Sequence, residues 1–145
     1  MSQTDTASPP SDLAKLVRVR QASIGAVFML VIQFILGIIF NLYGTIPPSG
    51  HSFGLFSNGW LILHEIMGVL LVGAAIGLVA RSFGTGSGFA KATSAIGLLA
   101  IIAAFGAGVG FTRSTGNGAS LGMALAFAIA LICYVLNLAR LPSAD

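Results

Sequence analysis

The sequence predicts an all-α, polytopic membrane protein: a bundle of four transmembrane helices arranged as two tandem hairpins. Three observations predict it. Hydrophobic residues make up 56% of the 145-residue chain and charged residues only 8%, with a mean hydropathy of +0.96. A soluble domain carries roughly 25% charged residues. The apolar residues gather into four runs of about 21 residues, and a helix of that length spans about 32 Å against a hydrocarbon core of about 30 Å. Finally, six of the seven basic residues fall on one side of the threading these runs impose.

Residues 1–14, opening MSQTDTASPPSD, are expected to form a disordered cytoplasmic tail, since they are polar, proline-bearing and unable to bury apolar surface. After LAKLVRVR the first membrane helix is expected over about 22–43. It is too long, and begins too far behind a polar tail, to read as a cleaved signal peptide. The alternation of a membrane-spanning strand is absent. The linker GTIPPSGHSFGLFSNG is uncharged, and its phenylalanines and Trp60 suit the headgroup level. The second helix is expected over about 60–80, followed by the glycine-serine turn SFGTGSGFAK. The third and fourth follow over about 91–111 and 119–139, so the transmembrane domain covers 15–141 and a short tail, 142–145, remains. The hairpins look alike: AIGLVARS parallels YVLNLARL, and SIGAVFMLV parallels AIGLLAIIA. Both hairpins start on the same side, so the repeat would be parallel.

Lys15, Arg18, Arg20, Arg81, Lys91 and Arg140 share one side, and Arg113 alone lies on the other. This bias predicts that both termini are cytoplasmic, in a plasma membrane that is most simply bacterial. Cations so placed sit beside anionic lipid headgroups, which argues against a nucleic-acid partner. The bias also argues against a dual-topology exporter, which needs balanced loops and a carboxylate in its first helix. Cys133, the single cysteine, allows neither an intrachain disulfide nor a multi-cysteine zinc site, and reads as small apolar filler. HEIMG lacks the second histidine of a zinc peptidase, and no framed phosphate loop or nucleophile motif is present. Conventional hydrolytic catalysis is not expected.

Within lipid, helices associate by close packing of small residues. Gly73 with Gly77, Gly106 with Gly110, and Ala126 with Ala130 each match the small-x-x-x-small spacing, and are expected to be packing faces. Gln33, Gly37, Asn41 and Gly44 share one stripe of the first helix; Gln33 falls near the midplane, where a side-chain hydrogen bond across the bundle is worth about 0.6 kcal/mol. Tyr134 and Asn137 read as interfacial anchors. His64 and Glu65 lie about one turn inside the second helix, and an outer polar cluster of Asn41, His64, Glu65 and Arg113 is expected. Gly68, Leu71 and Ala75 share the face of His64, with Gly73 and Gly77 nearly opposite. An imidazole above small residues leaves room for a flat macrocycle whose iron it could ligate.

LHEIMGVLLVGAA, with the upstream LVIQFILGIIF, resembles the paired helices of small haem-binding membrane proteins of the cytochrome b561 type and the half-modules of haem A synthase. The resemblance covers about 50 residues. It implies haem b as cofactor and a histidine near a helix end, here His64, as axial ligand. Such haems usually take a second histidine from another helix, and no other helix here has one. Three routes to the second ligand stay open: Met123, which falls opposite His64 when Arg81 is aligned with Arg140; His51 in the linker; or His64 of a second copy.

Three functions follow as expectations. The first is a non-catalytic subunit or scaffold, packing through glycine faces against other membrane proteins or its own copies. The second is a b-type haem protein for electron transfer or haem handling. The third is a small transporter with Gln33 and Glu65 on its path.

Overall fold

The computed structural model describes residues 11–48, 50–52, 54 and 58–143. Four helices account for nearly all of them: α1 (Asp12–Tyr43), α2 (Gly59–Phe83), α3 (Gly88–Arg113) and α4 (Asn117–Arg140). All four are long and apolar enough to cross a membrane. The α3–α4 interface is the most extensive, then α1–α2, and α2–α3 and α1–α4 contacts close the ring. Successive helices are neighbours, which places α2 diagonally across from α4.

Helix α1 starts well before the expected residue 22, so Asp12–Ala14 belong to a helix and not to the expected tail; residues 1–10 lie outside the described residues. The cause is local. Ser11 caps the helix by accepting from the Ala14 N–H at 3.4 Å, Asp12 places a negative charge in the positive first turn, and Lys15 pairs with Asp12 at 3.2 Å. At 32 residues α1 is about 48 Å long, so its first turns carry Lys15, Arg18 and Arg20 beyond the hydrocarbon. Asn58 and Ser87 cap α2 and α3 by the same chemistry. Pro47 and Pro48 follow the end of α1, and Pro142 follows α4, where a missing N–H and a fixed φ prevent continuation. Of the expected tail 142–145, Pro142 and Ser143 are non-helical, and the last two residues lie outside the described set.

The bundle is tight at the basic end and open at the other. Ala26 and Leu30 of α1, Leu71, Ala75 and Leu78 of α2, Ala100 and Ile101 of α3, and Ala130, Cys133 and Tyr134 of α4 form one buried cluster. All lie from the midplane toward the basic end. Val19, Ala90 and Leu141 form a second cluster that seals that end. Between the clusters runs a buried polar chain. Thr93 donates to Asn137 Oδ1 at 2.6 Å, Asn137 Nδ2 donates to Ser23 Oγ at 3.1 Å, and Ser23 donates to the Val19 carbonyl at 2.9 Å. It ties α3 to α4 and α4 to α1. Tyr134 and Asn137 are therefore core residues with no exposed surface, not the interfacial anchors expected.

The packing glycines also differ from expectation. Gly73, Gly106 and Gly110 face outward with nothing near the position of an added Cβ, and at Gly77 only Arg81 of the same helix comes close. The inward small residues of α2 are Gly68 and Ala75; those of α4 are Ala126 and Ala130, as expected. The tightest approach is at Gly97, where a Cβ would lie 2.5 Å from Cε1 of the buried Tyr134 ring. Large apolar side chains such as Phe28, Leu99 and Val69 cover the outside, as a lipid solvent permits.

Gly97→Ala should therefore overpack the α3–α4 seam, at a cost of about 1–3 kcal/mol, whereas Gly73→Ala, with open space at its Cβ, should keep stability or raise it slightly. Thermal melting of the two variants in detergent checks the contrast, and equal melting temperatures would refute the assigned faces.

Candidate functional site

Above the packed half, the four helices part around an apolar cavity of about 860 Å³. Its floor is Leu30, Leu71 and Ile101, the upper edge of the core. Its walls come from Gln33, Gly37 and Asn41 of α1, His64, Glu65 and Gly68 of α2, Phe105 and Gly108 of α3, and Met123 and Phe127 of α4. The α1 stripe of Gln33, Gly37 and Asn41 thus turns inward as a unit, as does the α2 face that begins at His64.

The spacing of α1 and α2 places His64 over Gly37. A Cβ at Gly37 would sit 3.2 Å from His64 Cε1 and 3.6 Å from Nδ1, so the missing side chain forms the seat of the imidazole. One turn toward the midplane, Gln33 Nε2 meets His64 Nε2 at 3.1 Å. With the amide donating, the imidazole proton resides on Nδ1. With the amide rotated, Oε1 accepts from Nε2–H and Nδ1 keeps a lone pair. Either arrangement leaves one imidazole nitrogen and one amide atom unsatisfied: His64 Nδ1 and Gln33 Oε1 are buried without a hydrogen bond, as is Glu65 Oε1. Three unmet polar atoms on one apolar cavity are costly, at about 1–3 kcal/mol each.

The expected outer cluster is partly assembled. Asn41, His64 and Glu65 all line the cavity; Arg113 does not, and is exposed at the end of α3. Gln33, expected to bond across the bundle, does so, and its partner is His64. Met123 also lines the cavity, its Sδ 3.5 Å from the position of a Cβ on Gly108. His51 lies elsewhere: its Nδ1 meets the Pro48 carbonyl at 3.3 Å in the exposed linker, away from the cavity lining. Sequence reasoning missed Gly37, Gly108 and Phe105 as site residues. Gly37 stood on the marked stripe of α1, but only its contact with His64 reveals it as a seat. The closed core below also means that Gln33 and Glu65 line a blind cavity in this conformation, not a path across the bundle.

No protein family model, curated protein or solved structure matches the chain. The fold and cavity define its class: a small integral membrane protein built as a four-helix bundle, hollow in one half.

Cys133, buried in the packed half, should resist maleimide in the detergent-solubilised protein, while a cysteine introduced by Asn41→Cys in a Cys133→Ser background should react. Mass spectrometry before and after addition of dodecyl sulfate reads both, and rapid labelling of native Cys133 would contradict the packed half.

Proposed function

We propose that this protein is a b-type haem membrane protein, an electron carrier or haem handler, with the cavity as the haem site. The observation that carries the reading is an imidazole with an unsatisfied nitrogen in an apolar cavity that also holds a thioether on the diagonal helix. The cavity volume falls within the range of cofactor sites, about 300–1,000 Å³. Histidine and methionine are both established axial ligands of haem iron. Gly37, Gly68 and Gly108 let His64, Gln33 and Met123 lie close against the walls. His64 and Met123 would hold the iron, and Phe105 and Phe127 would flank the macrocycle. When bound, haem supplies one-electron redox chemistry.

The protein's own part is positioning and exclusion of water. Gln33 orients the ring of His64 through its bond to Nε2, the outer-shell role that positions a ligating imidazole. Because Nε2 is engaged by Gln33, His64 would offer iron Nδ1 when the Gln33 oxygen accepts from Nε2–H, or Nε2 once the amide moves away. The packed half below keeps water from reaching the cavity from the basic side. The placement of the cations supports a plasma-membrane protein with both termini cytoplasmic, so the cavity would open toward the outer leaflet.

A second reading rests on other residues. The outward Gly73, Gly106 and Gly110 leave small-residue patches facing lipid, suited to a partner membrane protein or a second copy in a scaffold role. Gly73→Ile with Gly106→Ile, which leaves the cavity intact, should then abolish co-purification or self-association.

The haem reading is tested by purifying the chain in detergent, adding haemin and recording reduced-minus-oxidised visible spectra. The wild type should show an α-band and a red-shifted Soret band. His64→Ala should abolish them, and Met123→Leu should retain haem with an altered ligand-field spectrum. A wild-type protein that stays colourless after haemin addition, or a His64→Ala spectrum identical to wild type, refutes the proposal.

A further inference from the structure

The basic end of the molecule carries a second, smaller concavity. Where α1 enters the membrane beside the end of α2, Lys15, Arg18, Ala80, Arg81 and Gly84 line a shallow pocket of about 250 Å³. We infer that this pocket binds a phosphate group, that of an anionic phospholipid headgroup or a soluble phosphate, held between Arg18 and Arg81.

Charge balance is the first argument. Three cations from two helices converge there, and the only described carboxylate at that end is Asp12, already engaged with Lys15 at 3.2 Å. Three positive charges against one negative leave the pocket at plus two. The neighbouring cations are used differently. Arg20 donates to the Leu138 carbonyl at 3.2 Å, and Arg140 lies over the Phe89 ring at 5.3 Å. Arg18 and Arg81 make no ion pair, because Lys15–Asp12 is the one ion pair among the described residues.

The position of the Arg81 guanidinium is the second, independent argument. Its Nη1 lies 3.0 Å from the position of a Cβ on Gly77, one turn back toward the midplane. The side chain therefore folds over its own helix toward the hydrocarbon, a direction helical side chains favour, when it could extend into water. A guanidinium at that depth needs a counter-charge at the headgroup level, and phosphate offers oxygens that match its fork. The absence of bulk at Ala80 and Gly84 leaves space beside it. Basic pockets between membrane helices are a recognised form of headgroup site.

The test uses the full chain in detergent, with thermal melting and native mass spectrometry as readouts. Phosphatidylglycerol should raise the melting temperature more than phosphatidylcholine at equal mole fraction and remain bound in the spectrometer. Arg18→Gln and Arg81→Gln should each weaken phosphatidylglycerol binding about fivefold, and the double variant should lose the increment while melting normally in phosphatidylcholine. Arg113→Gln, at the opposite end, should change nothing. Inorganic phosphate alone distinguishes the sources: an arginine-dependent shift assigns the pocket to soluble phosphate, and no shift assigns it to lipid. Should the double variant fail to fold, lipid retention by each single variant decides. Equal stabilisation by the two lipids, or a phosphatidylglycerol increment that survives loss of the arginines, overturns the inference.

Discussion

Hydrocarbon offers no hydrogen bonds, and this constraint separates the two halves of the bundle. In a lipid solvent an unmatched polar atom has no water to fall back on. The basic half meets the constraint in large part: Thr93, Asn137 and Ser23 form a continuous donor–acceptor chain across three helices. In the far half Gln33, His64 and Glu65 each bring an unsatisfied atom to one cavity. The basic half also buries two unpartnered hydroxyls, Ser94 Oγ and Tyr134 Oη, but on separate helices within packed core, whereas the three near His64 belong to residues that line one cavity. Stability accounts for the Thr93–Asn137–Ser23 chain; it does not account for three unmet atoms gathered on one cavity.

Packing follows the same division. Helices in lipid approach closely where small side chains allow it, and here the decisive contacts are specific. Gly97 admits the Tyr134 ring between α3 and α4, and Ala75 and Ala130 let the helices meet without a gap. In the far half small residues have a different effect. Gly37 receives the imidazole, Gly68 the Gln33 amide and Gly108 the Met123 thioether, so glycine there seats the side chains that line the cavity.

The four helices were legible in the sequence because hydropathy and length are local quantities, set by 20-odd consecutive residues. So was the inward stripe of Gln33, Gly37 and Asn41, which follows from helical angle alone. The start of α1 was not, because the serine cap and the Asp12–Lys15 pair outweigh a polar composition that reads as tail. The orientation of Gly73 and Gly77 was not legible either. A G-x-x-x-G repeat states that one face is smooth, and only the partner helices decide whether that face turns in. Asn137 was misread for a related reason: an amide one turn from a helix end suits water as well as a buried network. Only Thr93 and Ser23, 44 and 114 residues away, distinguish the two.

His64 shows why the last step needs three dimensions. A histidine near a helix end can snorkel to water at small cost, and nothing adjacent in the chain says otherwise. The fold denies it that exit by setting it against Gly37 and Gln33, beneath the rim and above the core. An imidazole so confined is oriented by a single amide and left with one nitrogen unmet. The surrounding void is apolar, a surface that gains little from water. Any occupant with a Lewis-acidic centre and an apolar body would relieve both deficits at once, and by binding only the folded bundle would stabilise it through mass action. The tight half makes this affordable in physical terms: a bundle locked near Asn137 and Tyr134 can stay hollow near His64 without collapsing.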